Sequence, residues 1–228
     1  MREVSVPVAD GSVPVHVADA APGERAPSLP AVLCVPSIFG PADELLAQLA
    51  GLTDVATVAV MDPFWRVEAG AIPYADRDGA FARVGQHDRA ATEGDLGAVA
   101  RWLAERSNGS VIGLGICFGG PWVLLGASVG ALAGVVTWHG SRMEQVIDRL
   151  DPSAMTGPVR LHFGEVDPIT PPEAIAAIEA CFADHPDCSI VVHPGLDHGF
   201  SHEGPAWDAD ATAAGLADLR AVAVALAS

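Results

Sequence analysis

Ser110-Val-Ile-Gly-Leu-Gly-Ile-Cys-Phe-Gly-Gly120 is the stretch that decides the fold. Ser110 to Leu114 is a short apolar run that reads as a buried strand, and Gly120 to Val129 reads as a helix. Between them, Gly115-Ile116-Cys117-Phe118-Gly119 must turn within a few residues. In so tight a strand-to-helix turn, side chains at Gly115 and Gly119 would clash, and the central residue is pushed above the sheet on a strained backbone. A cysteine there stands at a helix N-terminus, whose dipole favours a thiolate. The backbone N–H of Phe118 would face an oxyanion formed on attack. A buried cysteine beside a glycine-rich helix start is the plainer reading of the same letters. The strand–turn–helix setting favours a nucleophile.

The rest of the chain supports this setting. Val4 to Val8 and Val13 to Val17 alternate around Asp10-Gly11, which predicts a hairpin. Pro22 to Pro30 is a proline-rich connection. Apolar runs at Ala31 to Val35, Ala56 to Met61, Ala133 to Trp138, Val159 to Phe163 and Ser189 to His193 predict strands. Helices are predicted at Asp43 to Ala50, His87 to Ser107, Pro172 to Ala183 and Ala209 to Ala227, while residues 64 to 84 read as loop-rich. Strands alternating with helices predict an α/β fold with a mostly parallel central sheet and helices on both faces. No repeat or low-complexity linker divides the chain, so residues 1–228 are expected to form one domain.

A thiol nucleophile needs a base, and the base an orienting acid. In α/β-hydrolases these follow in the order nucleophile, acid, histidine. Asp167 follows the Val159 to Phe163 strand and His198 follows the Ser189 to His193 strand. Both lie on loops at C-terminal strand ends, the edge that also carries Cys117. Asp197 and Glu165 are rivals for the acid. His193, His198 and His202 could suggest a metal cluster, but no metal-binding helix frames them, so no metal is expected. His139, just past a strand end, is a further candidate for lining the pocket. Cys34, Cys181 and Cys188 form no CxxC pair and read as free thiols.

Composition narrows the function classes. The chain has 228 residues, half of them hydrophobic, and a formal net charge of −17. Such an acidic surface disfavours nucleic acid and anionic membranes as partners. The N-terminus lacks the apolar core of a signal peptide, and no apolar run is long enough to span a bilayer, so a cytoplasmic protein is expected.

From about Ala31 onward the chain resembles the dienelactone hydrolase family. The resemblance rests on Gly115-Ile116-Cys117-Phe118-Gly119-Gly120, Phe163-Gly164-Glu165-Val166-Asp167, Asp197-His198-Gly199-Phe200, Ser37-Ile38-Phe39-Gly40 and Met61-Asp62-Pro63-Phe64. It implies the α/β-hydrolase fold, a monomer or weak homo-oligomer, no metal or organic cofactor, and hydrolysis of a small ester or enol-lactone. It implies a Cys117–His198–Asp167 triad, an oxyanion hole from the backbone N–H groups of Ile38 and Phe118, and Arg77 as a carboxylate-binding arginine.

Two positions depart from the family pattern. Ser37 stands where the family has a glutamate that takes part in activating the cysteine. His202 stands where it has a second substrate-binding arginine, and a neutral imidazole cannot make a two-pronged clamp on a carboxylate. A less charged ester or lactone is therefore the expected substrate. Ser37 and His202 remain candidate substrate-side residues, with Phe39, Trp138 and Tyr74 as candidate pocket walls. A broad carboxylesterase or thioesterase, and a non-catalytic ligand-binding or redox-sensing relative, are the alternatives.

Overall fold

The computed structural model describes residues 1–21 and 28–227. Most of the proline-rich Pro22 to Pro30 connection lies outside the described residues. Eight strands form one sheet: β1 (Arg2–Val8), β2 (Gly11–Ala18), β3 (Ala31–Val35), β4 (Thr57–Met61), β5 (Val111–Ile116), β6 (Gly134–Trp138), β7 (Val159–Gly164) and β8 (Cys188–His193). Their order is β1-β2-β4-β3-β5-β6-β7-β8. The β1–β2 and β2–β4 pairs are antiparallel, and every later pair is parallel. The α/β fold with a mostly parallel sheet is as the sequence predicts.

Among the described residues, six α-helices surround the sheet: α1 (Asp43–Ala50), α2 (Arg77–Gly85), α3 (Arg89–Ala104), α4 (Gly120–Ser128), α5 (Pro172–Cys181) and α6 (Ala209–Ala225). The strands β3, β4, β5 and β6 are buried along their whole length, because helices cover both faces. One core joins Leu33, Ala59, Leu96, Val123 and Leu161, and the other joins Val32, Val58, Leu114, Val136 and Leu219. These sets alternate along β3 and β4, as the period of two requires.

Helix α2 is a difference from the sequence expectation, which left residues 64 to 84 as loop. Asp76 starts it by accepting a hydrogen bond from the Gly79 N–H at 2.9 Å. This is a local N-cap that offsets a stretch poor in apolar periodicity. Asp88 caps α3 in the same way through Ala91. Helix α3 thus begins two residues later than the periodicity suggests.

The parallel strands all present their C-terminal ends along one edge. That edge carries the Ser37 loop after β3, the turn after β5, His139 after β6, the Asp167 loop after β7 and the His198 loop after β8.

Candidate active site

The turn after β5 is a single 3₁₀ turn, Cys117–Gly119, that leads straight into α4. Cys117 has φ of 51°, a left-handed conformation costly for a residue with a Cβ. Two glycines make the turn possible. A Cβ on Gly119 would stand 1.9 Å from the Val35 carbonyl oxygen, and one on Gly115 would stand 2.7 Å from the Gly119 carbonyl oxygen.

Cys117 Sγ lies 3.1 Å from His198 Nε2, and His198 Nδ1 lies 2.7 Å from Asp167 Oδ2. The three candidate residues are thus brought together, in the order the sequence requires. The second Asp167 oxygen accepts the backbone N–H groups of Ile169 at 2.7 Å and Thr170 at 3.2 Å. This fixes the carboxylate, which is wholly buried. The rival acids face elsewhere. Asp197 accepts the His198 backbone N–H, and Glu165 accepts that of Gly195, so both shape the loop.

Electrostatics favour an ion pair. Burial pushes the Cys117 thiol up, but the charge and hydrogen bond of His198, with contributions from Ser141 and the Phe118 N–H, bring it below its ordinary value. Burial likewise opposes charge on His198, yet the Cys117 thiolate and Asp167 together raise it to about 10. The two opposed shifts favour the thiolate–imidazolium pair over the neutral pair. Burial pushes the other thiols the opposite way: Cys34 strongly, Cys188 to about 11, and Cys181 by a smaller amount. Iodoacetamide at pH 7 is therefore expected to alkylate Cys117 well ahead of the other three. Labelling should fade only as acid protonates the thiolate, below the usual range for a free cysteine. Peptide mass mapping across pH checks this, and equal labelling of Cys181 would contradict it.

Around the triad, the other candidates take different places. Ile38 sits in the loop after β3, and its carbonyl accepts Arg83 Nη2 at 2.6 Å. Arg83 is 1% exposed and also donates to the carbonyls of Glu68 and Gly70. It braces the loop that carries the Ile38 N–H. Nothing in the sequence marks it, because its role depends on three carbonyls from separate segments. The Ser37 hydroxyl lies 3.4 Å from the Phe39 N–H and is 2% exposed, so it stabilises its own turn.

Phe39 meets Tyr74 edge-on with ring centroids 4.8 Å apart, and Tyr74 stacks on His202 at 5.2 Å. His202 also meets His139 edge-on at 4.9 Å, and His139 meets His198 at 4.8 Å. Burial and the charge on His198 lower His202 to about 3, so it is neutral. Arg77 lies exposed in the first turn of α2, its guanidinium over the Phe81 ring.

Trp138 corrects the expectation of a pocket wall. It is fully buried in the core beneath α6, where a Cβ on Gly215 would meet its ring nitrogen at 2.4 Å. A strand alternates its faces, so the last residue of β6 points into the sheet packing while His139 reaches the site. His193 stands apart from His198 and His202. His193 instead pairs with the buried His162, their ring nitrogens 3.1 Å apart.

Comparison with known proteins agrees with this picture. A profile of the dienelactone hydrolase family matches residues 18–224. A candidate carboxymethylenebutenolidase of Azospirillum brasilense is 26% identical over 220 residues, covering 90% of each chain. The fold is shared with a candidate dienelactone hydrolase from Klebsiella pneumoniae, at a TM-score of 0.83 and 20% identity, covering 98% of this chain and 97% of the other. It is also shared with P91, a dienelactone hydrolase-like promiscuous phosphotriesterase from metagenomic libraries, at a TM-score of 0.75 and 22% identity, covering 100% and 98%. With the profile spanning nearly the whole chain, and Cys117, His198 and Asp167 gathered at the strand ends, this chain belongs to the dienelactone hydrolase family and is a hydrolase of the α/β-hydrolase fold.

Proposed function

We propose that this protein hydrolyses a small, uncharged carboxylic ester or lactone through an acyl-cysteine intermediate. The observation that carries the reading is the unbroken hydrogen-bonded line Cys117–His198–Asp167, at 3.1 and 2.7 Å. The Cys117 thiolate attacks the carbonyl carbon, and the carbonyl oxygen becomes an oxyanion held by the N–H groups of Ile38 and Phe118. Such donors are worth about 2.7–4 kcal/mol each in comparable sites. As the tetrahedral adduct collapses, the C–O bond breaks and the leaving alkoxide takes the His198 proton. Water then gives a proton to His198 and attacks the thioester. The acid departs and Cys117 leaves as thiolate, regenerating the ion pair. Asp167 holds His198 in the tautomer that both steps need.

The preference for uncharged substrates rests on His202. It is neutral and packed among Tyr74, Phe39 and His139. These rings offer an uncharged wall in place of a cationic clamp on a carboxylate. Without such a clamp, a carboxylate in the cleft loses a charged hydrogen bond worth about 1.5–3 kcal/mol.

A panel of p-nitrophenyl acetate, neutral lactones and a carboxylate-bearing enol-lactone tests the proposal, with intact-mass detection of an acyl adduct on Cys117. Neutral substrates should show the higher kcat/KM and a transient adduct. A wild type that turns over no ester and forms no adduct would sink the reading. His202→Arg should shift the carboxylate-to-neutral kcat/KM ratio upward by about tenfold or more. An unchanged ratio would remove His202 from the specificity argument.

A further inference from the structure

We propose that Cys117, His139 and His198 form a three-ligand site for a thiophilic divalent cation of the zinc class, which occupies the cleft and blocks the thiol reversibly. Among the described residues, these three offer one ligand atom each, all within 4.8 Å of one another. The donor set of one sulfur and two imidazole nitrogens suits a soft or borderline ion rather than magnesium or calcium.

Both histidines are held as metal-binding histidines are held. His198 has its Nδ1 fixed by Asp167 at 2.7 Å, which leaves Nε2 as the ligand. His139 has its Nε2 fixed by the Ser201 hydroxyl at 2.7 Å, which leaves Nδ1. An oxygen partner on the far nitrogen sets the tautomer and ring orientation in most metal-binding histidines. His139 Nδ1 is buried and has no hydrogen-bond partner among the described residues, although nearly all buried polar atoms find one. The His139 side chain is wholly buried and its backbone takes a φ of 39°, so the ring is held against the triad at an unfavourable dihedral. The ester mechanism gives this nitrogen no task, and a metal ion does.

A tetrahedral zinc ion spaces nitrogen and sulfur ligands about 3.3–3.6 Å apart, from bonds of about 2.0–2.3 Å. The Cys117–His198 gap of 3.1 Å opens slightly, and a widest separation of 4.8 Å closes by about 1.2–1.5 Å through side-chain rotation. Cys117 and His198 share one proton. The cation takes the sulfur and nitrogen lone pairs, and that proton leaves to water. The fourth position of the ion is left to solvent. The inference uses the same cleft as the ester reading, but metal binding does not require that reading.

Cobalt(II) is the probe. A 1:1 titration of the whole protein should raise a thiolate-to-cobalt charge-transfer band in the near ultraviolet, and zinc should displace it. Cys117→Ser should abolish the band. His139→Gln should weaken binding at least tenfold. Ser201→Ala, which keeps all three ligands but frees the His139 ring, should weaken it about tenfold to a hundredfold. Circular dichroism confirms that each variant is folded. No band in the wild type overturns the proposal. So does cobalt binding as tight as wild type in both His139→Gln and Ser201→Ala. Zinc should also arrest ester hydrolysis until EDTA is added. A protein that binds cobalt in this pattern yet hydrolyses no ester upholds the site and fails the ester reading instead.

Discussion

Cys117→Ala should lower ester hydrolysis by roughly 10⁴- to 10⁶-fold, the scale on which removing a triad nucleophile acts in comparable enzymes. Two effects combine. The attacking atom disappears, and so does the group that keeps His198 protonated. His198 is raised to about 10 by Cys117 and Asp167 together. Without the thiolate, it should titrate lower and stand neutral over more of the pH range. The variant therefore gives a paired result: turnover collapses, and the His198 ring signals in a proton NMR titration move their midpoint downward. Residual activity within tenfold of wild type would show that another group attacks the ester.

The second large effect is structural. Gly119→Ala would place a methyl carbon 1.9 Å from the Val35 carbonyl oxygen and 2.7 Å from its carbon. Val35 ends β3, which is hydrogen-bonded to β4 on one side and β5 on the other, so its backbone cannot yield cheaply. A cost of about 3–5 kcal/mol is expected. For a chain of this size that corresponds to a melting temperature lower by about 10–15 °C. Gly85→Ala is the control. No atom stands within 4 Å of its added carbon, and the position closes α2, so its melting point should stay level or rise slightly. Calorimetry on both variants decides the matter, and a Gly119→Ala melt within 2 °C (about 1 kcal/mol or less) of wild type would refute it. The clash also lies between the Ile38 loop and the Phe118 turn. Any Gly119→Ala protein that folds should therefore lose kcat as the two candidate oxyanion donors are spread.

Much of this is legible in the sequence, for physical reasons that differ by region. The turn around Cys117 is legible because few residues besides glycine fit positions 115 and 119, so its letters and its geometry are nearly one fact. Asp167 and His198 are legible because a parallel sheet sends its strand ends to one edge, so position along the chain implies position in space. Helix α2 was not legible. It is started by one Asp76 side chain, and its apolar pattern is weak. Trp138 misled because its place at the strand end, on the edge that carries the site, does not say which face of the sheet its side chain takes. Arg83 left no trace, since its partners are backbone carbonyls drawn together only by folding. The pairing of His139 with Ser201 spans 62 positions and belongs to the same class.

Three residues other than glycine hold a positive φ: Cys117, His139 and Arg142, among those described. Two of them touch the chemistry. Each such residue costs of order 1–3 kcal/mol, and glycine would relieve much of it. At Cys117 the relief would erase the proposed nucleophile, so on that reading durability and reactivity are traded against each other at a single codon. On the proposed reading, selection for heat resistance alone would push that codon toward glycine, and demand for the thiol would hold it where it is.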